Sequence, residues 1–168
     1  MDASVIRDTE ERFRSDPEAA RATPAVTATL ANGRARLSAG NYNWEADLPA
    51  ALGGSNLAPT PTAYLLGALA GCGVVFVRDT LAPQLGIQVD DVSAVARCST
   101  DARGLLGMDG ALPDLSSLEI EIRISTSAPQ ERIDELRRVW EERCPIYLAI
   151  TRPNDVALRL TVAQPATT

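Results

Sequence analysis

Thr60-Pro61-Thr62-Ala63-Tyr64-Leu65-Leu66-Gly67-Ala68-Leu69-Ala70-Gly71-Cys72-Gly73-Val74-Val75-Phe76-Val77 is the longest weakly polar run in the chain. It opens on a hydroxyl residue followed by proline. Thr60 can cap a helix, and Pro61 fits the first helical position, where a missing N–H costs nothing. The pattern predicts a helix running to about Leu81 and stopped by Pro83 and Gly86. Apolar residues lie on nearly every side of it, so it is expected to be buried. Gly67, Ala68, Ala70, Gly71 and Gly73 would let other backbones come close. Cys72 sits in its middle, as either packing or a reagent.

Outward from this helix, composition narrows the chemistry. The chain has 168 residues and a formal net charge of −6. That length fits one domain with a sizeable core. The acidic balance argues against a nucleic-acid partner or an anionic membrane surface. All 16 basic residues are arginine, which excludes Schiff-base and P-loop lysine chemistry. There is no histidine, so Ser-His-Asp triads, Cys-His dyads and nearly all common zinc sites are excluded as well. The polar N-terminus lacks the pattern of a secretory signal. The run Tyr64 to Val77 falls short of the roughly 20 residues that span a bilayer. A soluble cytoplasmic protein, without a membrane partner, is the expectation.

Before the cysteine helix, residues Ala3 to Arg21 read as a surface helix broken at Asp16-Pro17. From Ala25 the period changes to two. Val26–Leu30, Arg34–Ser38 and Tyr42–Asp47 read as strands, joined by turns at Asn32-Gly33 and Ala39-Gly40-Asn41. They form an N-terminal β-meander. Pro49 to Pro59 is a loop in which Gly53-Gly54 serve either a turn or a close backbone approach.

After the cysteine helix, Ile87 to Thr100 alternates as a long strand holding Cys98. Asp101 to Gly110 is expected as a wide hairpin loop; it lacks the spacing of a phosphate-binding loop. Ser117–Ile124 alternates apolar and charged residues, as in a sheet with one solvated face. A second helix starts at Pro129, with Ser127 as a possible cap. Ile133, Leu136, Trp140 and Cys144 form its apolar stripe. Pro145 makes it kink or restart. Val156–Val162 reads as a closing strand and Gln164–Thr168 as a tail. The sum is an α+β fold of three parts. Residues 1–23 are an N-terminal helical extension, 24–163 the domain and 164–168 the tail.

Cys72, Cys98 and Cys144 are an odd number with no Cys-x-x-Cys, which argues against a disulfide framework. Cys98, in a strand without distinctive neighbours, reads as packing. Cys72 and Cys144 each lie on the core side of a long helix, and both helices must pack on the same sheet. Two thiols that can meet support a redox cycle: one becomes a sulfenic acid and the other closes a disulfide. The thiolate is the reactive form, and only arginine can supply a nearby positive charge here.

Pro61-x-x-x-Leu65-Leu66-x-Ala68-Leu69-Ala70-Gly71-Cys72 and Arg143-Cys144-Pro145 together resemble the two cysteine motifs of the OsmC/Ohr (osmotically inducible / organic hydroperoxide resistance) family. The loops Pro49–Gly54 and Arg103–Gly110 are also similar to those of OsmC-like members. The resemblance covers roughly Ala25 to Val162. It implies an OsmC-like fold, with a buried central cysteine helix, further antiparallel strands and an intertwined homodimer whose active sites draw on both subunits. It implies a thiol peroxidase that reduces organic hydroperoxides, and hydrogen peroxide less well, in oxidative-stress defence. Cys72 would be peroxidatic and Cys144 resolving. A dithiol reductant such as a lipoylated protein would complete the cycle, with no metal or bound cofactor.

Where family members typically carry a glutamate ahead of the first cysteine, this chain has Thr62 and Ala63. The family's arginine comes from the meander or the loop after it. Here Arg34 is the candidate for thiolate activation, with Arg36 close by. The alternative is an OsmC-fold binding or regulatory protein for a small apolar ligand, with little peroxidase activity. A plainer reading has the cysteines merely pack.

Overall fold

A computed structural model describes residues 3–162. The expected tail, 164–168, lies outside the described residues. Helix α1 (Ala3–Ser15) ends at Asp16, and a short 3-10 turn follows at Pro17–Ala20. Strands β1 (Thr27–Ala31), β2 (Arg34–Ala39) and β3 (Tyr42–Ala46) form the expected antiparallel meander in the order β1-β2-β3. Asn32 and Gly33 both take positive φ, 52° and 76°. That is what a two-residue hairpin turn twisted like its strands requires. The register pairs Leu37 with Trp44 and Ala35 with Ala46, giving β2 and β3 one apolar face, and Arg36 with Glu45 on the other.

The cysteine helix α2 (Pro61–Phe76) begins as its sequence dictates: Thr60 Oγ1 accepts the Ala63 N–H at 3.2 Å, and Pro61 opens the first turn. A cap of this kind is worth about 1 kcal/mol. The helix does not stop at Pro83. A π turn over Val77–Leu81 carries it into α3 (Ala82–Gln84), and Gly86, at φ +63°, ends the rod. Within the π turn the Ala82 N–H bonds the Val77 carbonyl. Widening the helix there lets the Pro83 ring follow without meeting the preceding turn. The rod Pro61–Gln84 therefore spans 24 residues, with a mean hydropathy of 1.6 in its most apolar window. By length and composition it could cross a bilayer, a correction to the shorter run read from the sequence.

Strands β4 (Asp91–Ser99) and β5 (Ser116–Ser125) make a second antiparallel sheet. Val92, Ala94 and Ala96 pair with Ile124, Ile122 and Ile120, and the register slips between Arg97 and Ser99, at Cys98. The expected wide loop between these strands contains a short helix, α4 (Ala102–Leu105), because the Asp101 carboxylate accepts the Arg103 N–H at its start. Helix α5 (Gln130–Arg143) lays Leu136, Val139 and Trp140 into the core, and α6 (Pro145–Thr151) restarts after Cys144. The core clusters where α2, its π turn, α5 and the β4–β5 face meet.

Two further expectations are corrected. Only part of α2 is buried by its own chain: Leu69 and Gly73 are buried, while Leu65 and Val75 remain 37% and 51% exposed. Val156–Val162 forms no strand. It pairs with neither sheet, and its apolar residues Val156, Leu158, Leu160 and Val162 are 86–91% exposed. An alternating segment holds strand form only against a neighbouring edge that takes up its backbone groups, and among the described residues no edge is paired with it.

Candidate functional site

Cys72 comes from the middle of α2 and Cys144 from the joint between α5 and α6. The apolar stripe of α5 turns Cys144 into the core, where it is fully buried; Cys72 is half-buried. The structure brings the two together, both as free thiols. Cys144 Sγ donates to Cys72 Sγ at 3.0 Å across 72 residues of chain. Cys98 is also free, in the β4 bulge, and takes no part. Gly73 makes the close packing possible. A Cβ there would stand 3.1 Å from the Ile120 Cδ1 and 3.2 Å from that of Ile122.

The first turn of α6 faces both sulfurs. Cys144 caps it, accepting the Tyr147 N–H at 3.5 Å, and the Ile146 N–H bonds Cys72. Burial dominates the electrostatics. Burial first, and then the neighbouring Cys144, together push the Cys72 thiol up to about 12, with the Ile146 N–H opposing. A carbon-lined setting disfavours a thiolate, and one amide donor does not offset it. Among the described residues no guanidinium contributes to this balance.

Arg34 lies elsewhere, on β2. Its Nε donates to Glu45 Oε2 at 3.0 Å and its Nη2 to Oε1 at 3.4 Å, with the Arg34 side chain 19% exposed. Glu45, on β3, is the Arg34 partner that sequence reasoning missed; Thr62 and Ala63 carry no charge. The signal was there in the meander register, which sets Arg36 opposite Glu45 and Arg34 diagonal to it. Tyr64, in the first turns of α2, donates its hydroxyl to the Glu45 carbonyl at 2.5 Å and ties β3 to the cysteine helix. Asp47 follows directly after β3. Its buried carboxylate accepts the N–H groups of Leu57, Leu48 and Ser55. Those bonds, with Leu57 foremost and Arg34's charge adding, hold its pKa below the usual carboxylate range against the cost of burial. Asp47 thereby pins both ends of the loop that holds Gly53-Gly54.

A family model for OsmC-like protein matches residues 53–159, a span that includes both cysteines. The chain belongs to the OsmC-like family. Solved structures agree with the fold of this OsmC-like chain. An OsmC like protein from Mycoplasma pneumoniae superimposes with a TM-score of 0.63 at 18% identity, over 77% of this chain and 87% of that one. An organic hydroperoxide resistance protein OsmC from Legionella pneumophila gives 0.59 at 21% identity, over 77% and 90%. An organic hydroperoxide resistance protein from Elizabethkingia anophelis gives 0.56 at 18%, over 78% and 89%. No curated protein matches the sequence. At these identities the likeness establishes the mixed α+β architecture with antiparallel strands.

Proposed function

We propose that this OsmC-like protein is a cytoplasmic thiol peroxidase for organic hydroperoxides, and that it works as a homodimer. The observation that carries the reading is the 3.0 Å contact between two free thiols from different helices. Cys72 is the more accessible of the two, so it is the nucleophile. Its thiolate attacks the distal peroxide oxygen and breaks the O–O bond. The products are a sulfenic acid on Cys72 and, once the alkoxide takes up a proton, an alcohol. The Cys144 thiol then attacks the sulfenic sulfur, forming the S–S bond and releasing water. A dithiol reductant such as a lipoylated protein returns two electrons and two protons, restoring both thiols and leaving itself as a disulfide.

The single chain leaves two needs unmet, and a second copy answers both. Cys72 needs a cation to become a thiolate at neutral pH; our candidate is the Arg34 guanidinium of the second copy, already aligned by Glu45. The exposed side of α2 needs a cover. An apolar groove of about 700 Å³ lies between the meander and α2, lined by Leu37, Trp44, Ala46, Tyr64, Gly67 and Ala68 among others. An oligomer that buries α2 makes it a core helix, not a membrane span.

The raised Cys72 thiol also supports a second reading, an apolar-ligand binding or regulatory protein with little turnover. Steady-state assays with a dihydrolipoyl reductant separate the two. The peroxidase reading expects cumene hydroperoxide to be consumed on the order of tenfold faster than hydrogen peroxide, from a species of twice the 17.9 kDa chain mass. Consumption no faster than that by free glutathione supports the second reading.

A further inference from the structure

The N–H groups at the head of a helix have no partner within it, and those of α6 end on the two thiols. Cys144 gives its own N–H back to the Trp140 carbonyl of α5 at 2.8 Å. Pro145 has none. The Ile146 N–H goes to the sulfur of Cys72, and the Tyr147 N–H to the sulfur of Cys144. The next amide, that of Leu148, makes the first bond inside the helix, to the Cys144 carbonyl at 2.9 Å. Both donors that α6 leaves over at its start are therefore held by the redox pair itself.

The rest of α6 can move as one piece. Cys144 stands outside the helix, at φ −69° and ψ 112°, because a residue before proline is kept out of the helical region. It is a ready hinge. At the far end Thr151 Oγ1 donates to the Tyr147 carbonyl at 2.8 Å and Asn154 Nδ2 to the Ala149 carbonyl at 3.0 Å, so the helix closes on itself. None of its residues is fully buried. Ile146, Tyr147 and Ile150 rest on the core, and among the described residues the chain beyond α6 joins neither sheet.

Oxidation changes what holds the first turn. Closing the disulfide breaks both S–H bonds, and two electrons and two protons pass to the oxidant. The sulfurs draw together from 3.0 Å to about 2 Å. Sulfur is a weak acceptor, and the 3.5 Å bond from Tyr147 has no margin for a shift of that size. The product is a disulfide with one sulfur, that of Cys144, fully buried beneath α6.

We propose that α6 is a redox-operated lid over the cysteine pair. The two thiols latch it shut, and their disulfide releases it so that a dithiol reductant reaches the S–S bond. The reductant's part rests on the peroxidase reading; the latch needs only the disulfide.

The test uses full-length protein carrying Cys98→Ser, so that only the pair can be oxidised. Diamide closes the disulfide, its N=N bond taking up the two hydrogens, and amide hydrogen exchange is read residue by residue. Exchange at Ile146 and Tyr147 should quicken about fivefold on oxidation, the effect of losing a cap, while α5 is unchanged. Cys144→Ser keeps an acceptor for Tyr147 and cannot form the bond, so diamide should leave its Tyr147 exchange unaltered. Ile150→Ala keeps a good helix former and touches neither sulfur, but loosens α6 on the core. It should speed reduction of the disulfide by dithiothreitol roughly fivefold. Equal exchange in the two redox states, with the disulfide present, overturns the latch and leaves the peroxidase reading untouched. Faster exchange without faster reduction of Ile150→Ala overturns the lid. If diamide joins no Cys72 to Cys144, the proposal falls together with the redox couple. If α6 responds as described yet no hydroperoxide is consumed, the peroxidase reading fails and the latch stands.

Discussion

Cys72→Ser is expected to lower peroxide turnover on the order of 10³-fold or more, to the level of protein without thiol chemistry. The hydroxyl keeps the volume near Gly73 but is not ionised at neutral pH, so the first bond-breaking step is lost. Cys144→Ser has a different signature. One equivalent of peroxide is consumed, then turnover stops because no second thiol lies 3.0 Å from the sulfenic acid. Dimedone should then label Cys72. Cys98→Ser should leave turnover unchanged, since Cys98 lies in the β4 bulge outside the pair. Single-turnover peroxide consumption with dimedone trapping checks all three. Equal turnover in wild type and Cys72→Ser would sink the mechanism.

Gly54→Ala should be strongly destabilising. A Cβ there would lie 2.0 Å from the Leu48 carbonyl oxygen, 2.5 Å from its carbon and 2.8 Å from Asp47 Oδ1. Two of those atoms are backbone and cannot swing aside. The loop must open, and opening it strains the Asp47 bonds to Leu48, Ser55 and Leu57. We expect a loss of about 3–5 kcal/mol and a fall in Tm of roughly 10 °C. Gly53→Ala is the control. Its φ of +85° penalises a side chain, but nothing lies within 4 Å of the added carbon, so the cost is only roughly 1–2 kcal/mol. Thermal melts of both variants check the order; Gly54→Ala melting above Gly53→Ala would contradict the packing described for this loop.

Much of this was legible where local chemistry decides structure. Thr60-Pro61 started the cysteine helix, Asn32-Gly33 turned the meander, and Pro145 restarted the last helix. The stripe Ile133, Leu136, Trp140, Cys144 placed the second thiol in the core, and both thiols did meet. The Gly53-Gly54 question, turn or close approach, resolves into one residue for each: Gly53 takes the left-handed conformation and Gly54 the close approach. What escaped depends on partners that a linear pattern does not name. Pro83 reads as a stop because an α-helix cannot admit its ring there, but a π turn can. Val156–Val162 alternates like a strand, yet alternation states only which residues want burial, not whether an edge is available. Glu45 was missed as the partner of Arg34 because the two lie 11 residues apart on neighbouring strands, and only register brings them together.

The central claim is that Cys72 and Cys144 form one redox couple, and peptide mapping after a single turnover tests it most directly. Reduced protein is mixed with one equivalent of cumene hydroperoxide, the remaining thiols are alkylated, and the digest is read by mass spectrometry. The account predicts one intrachain disulfide linking the Cys72 and Cys144 peptides, a loss of about two hydrogens from the intact chain, and Cys98 alkylated throughout. Peroxide left unconsumed with all three cysteines alkylated, or oxidation falling on Cys98 instead, would contradict it.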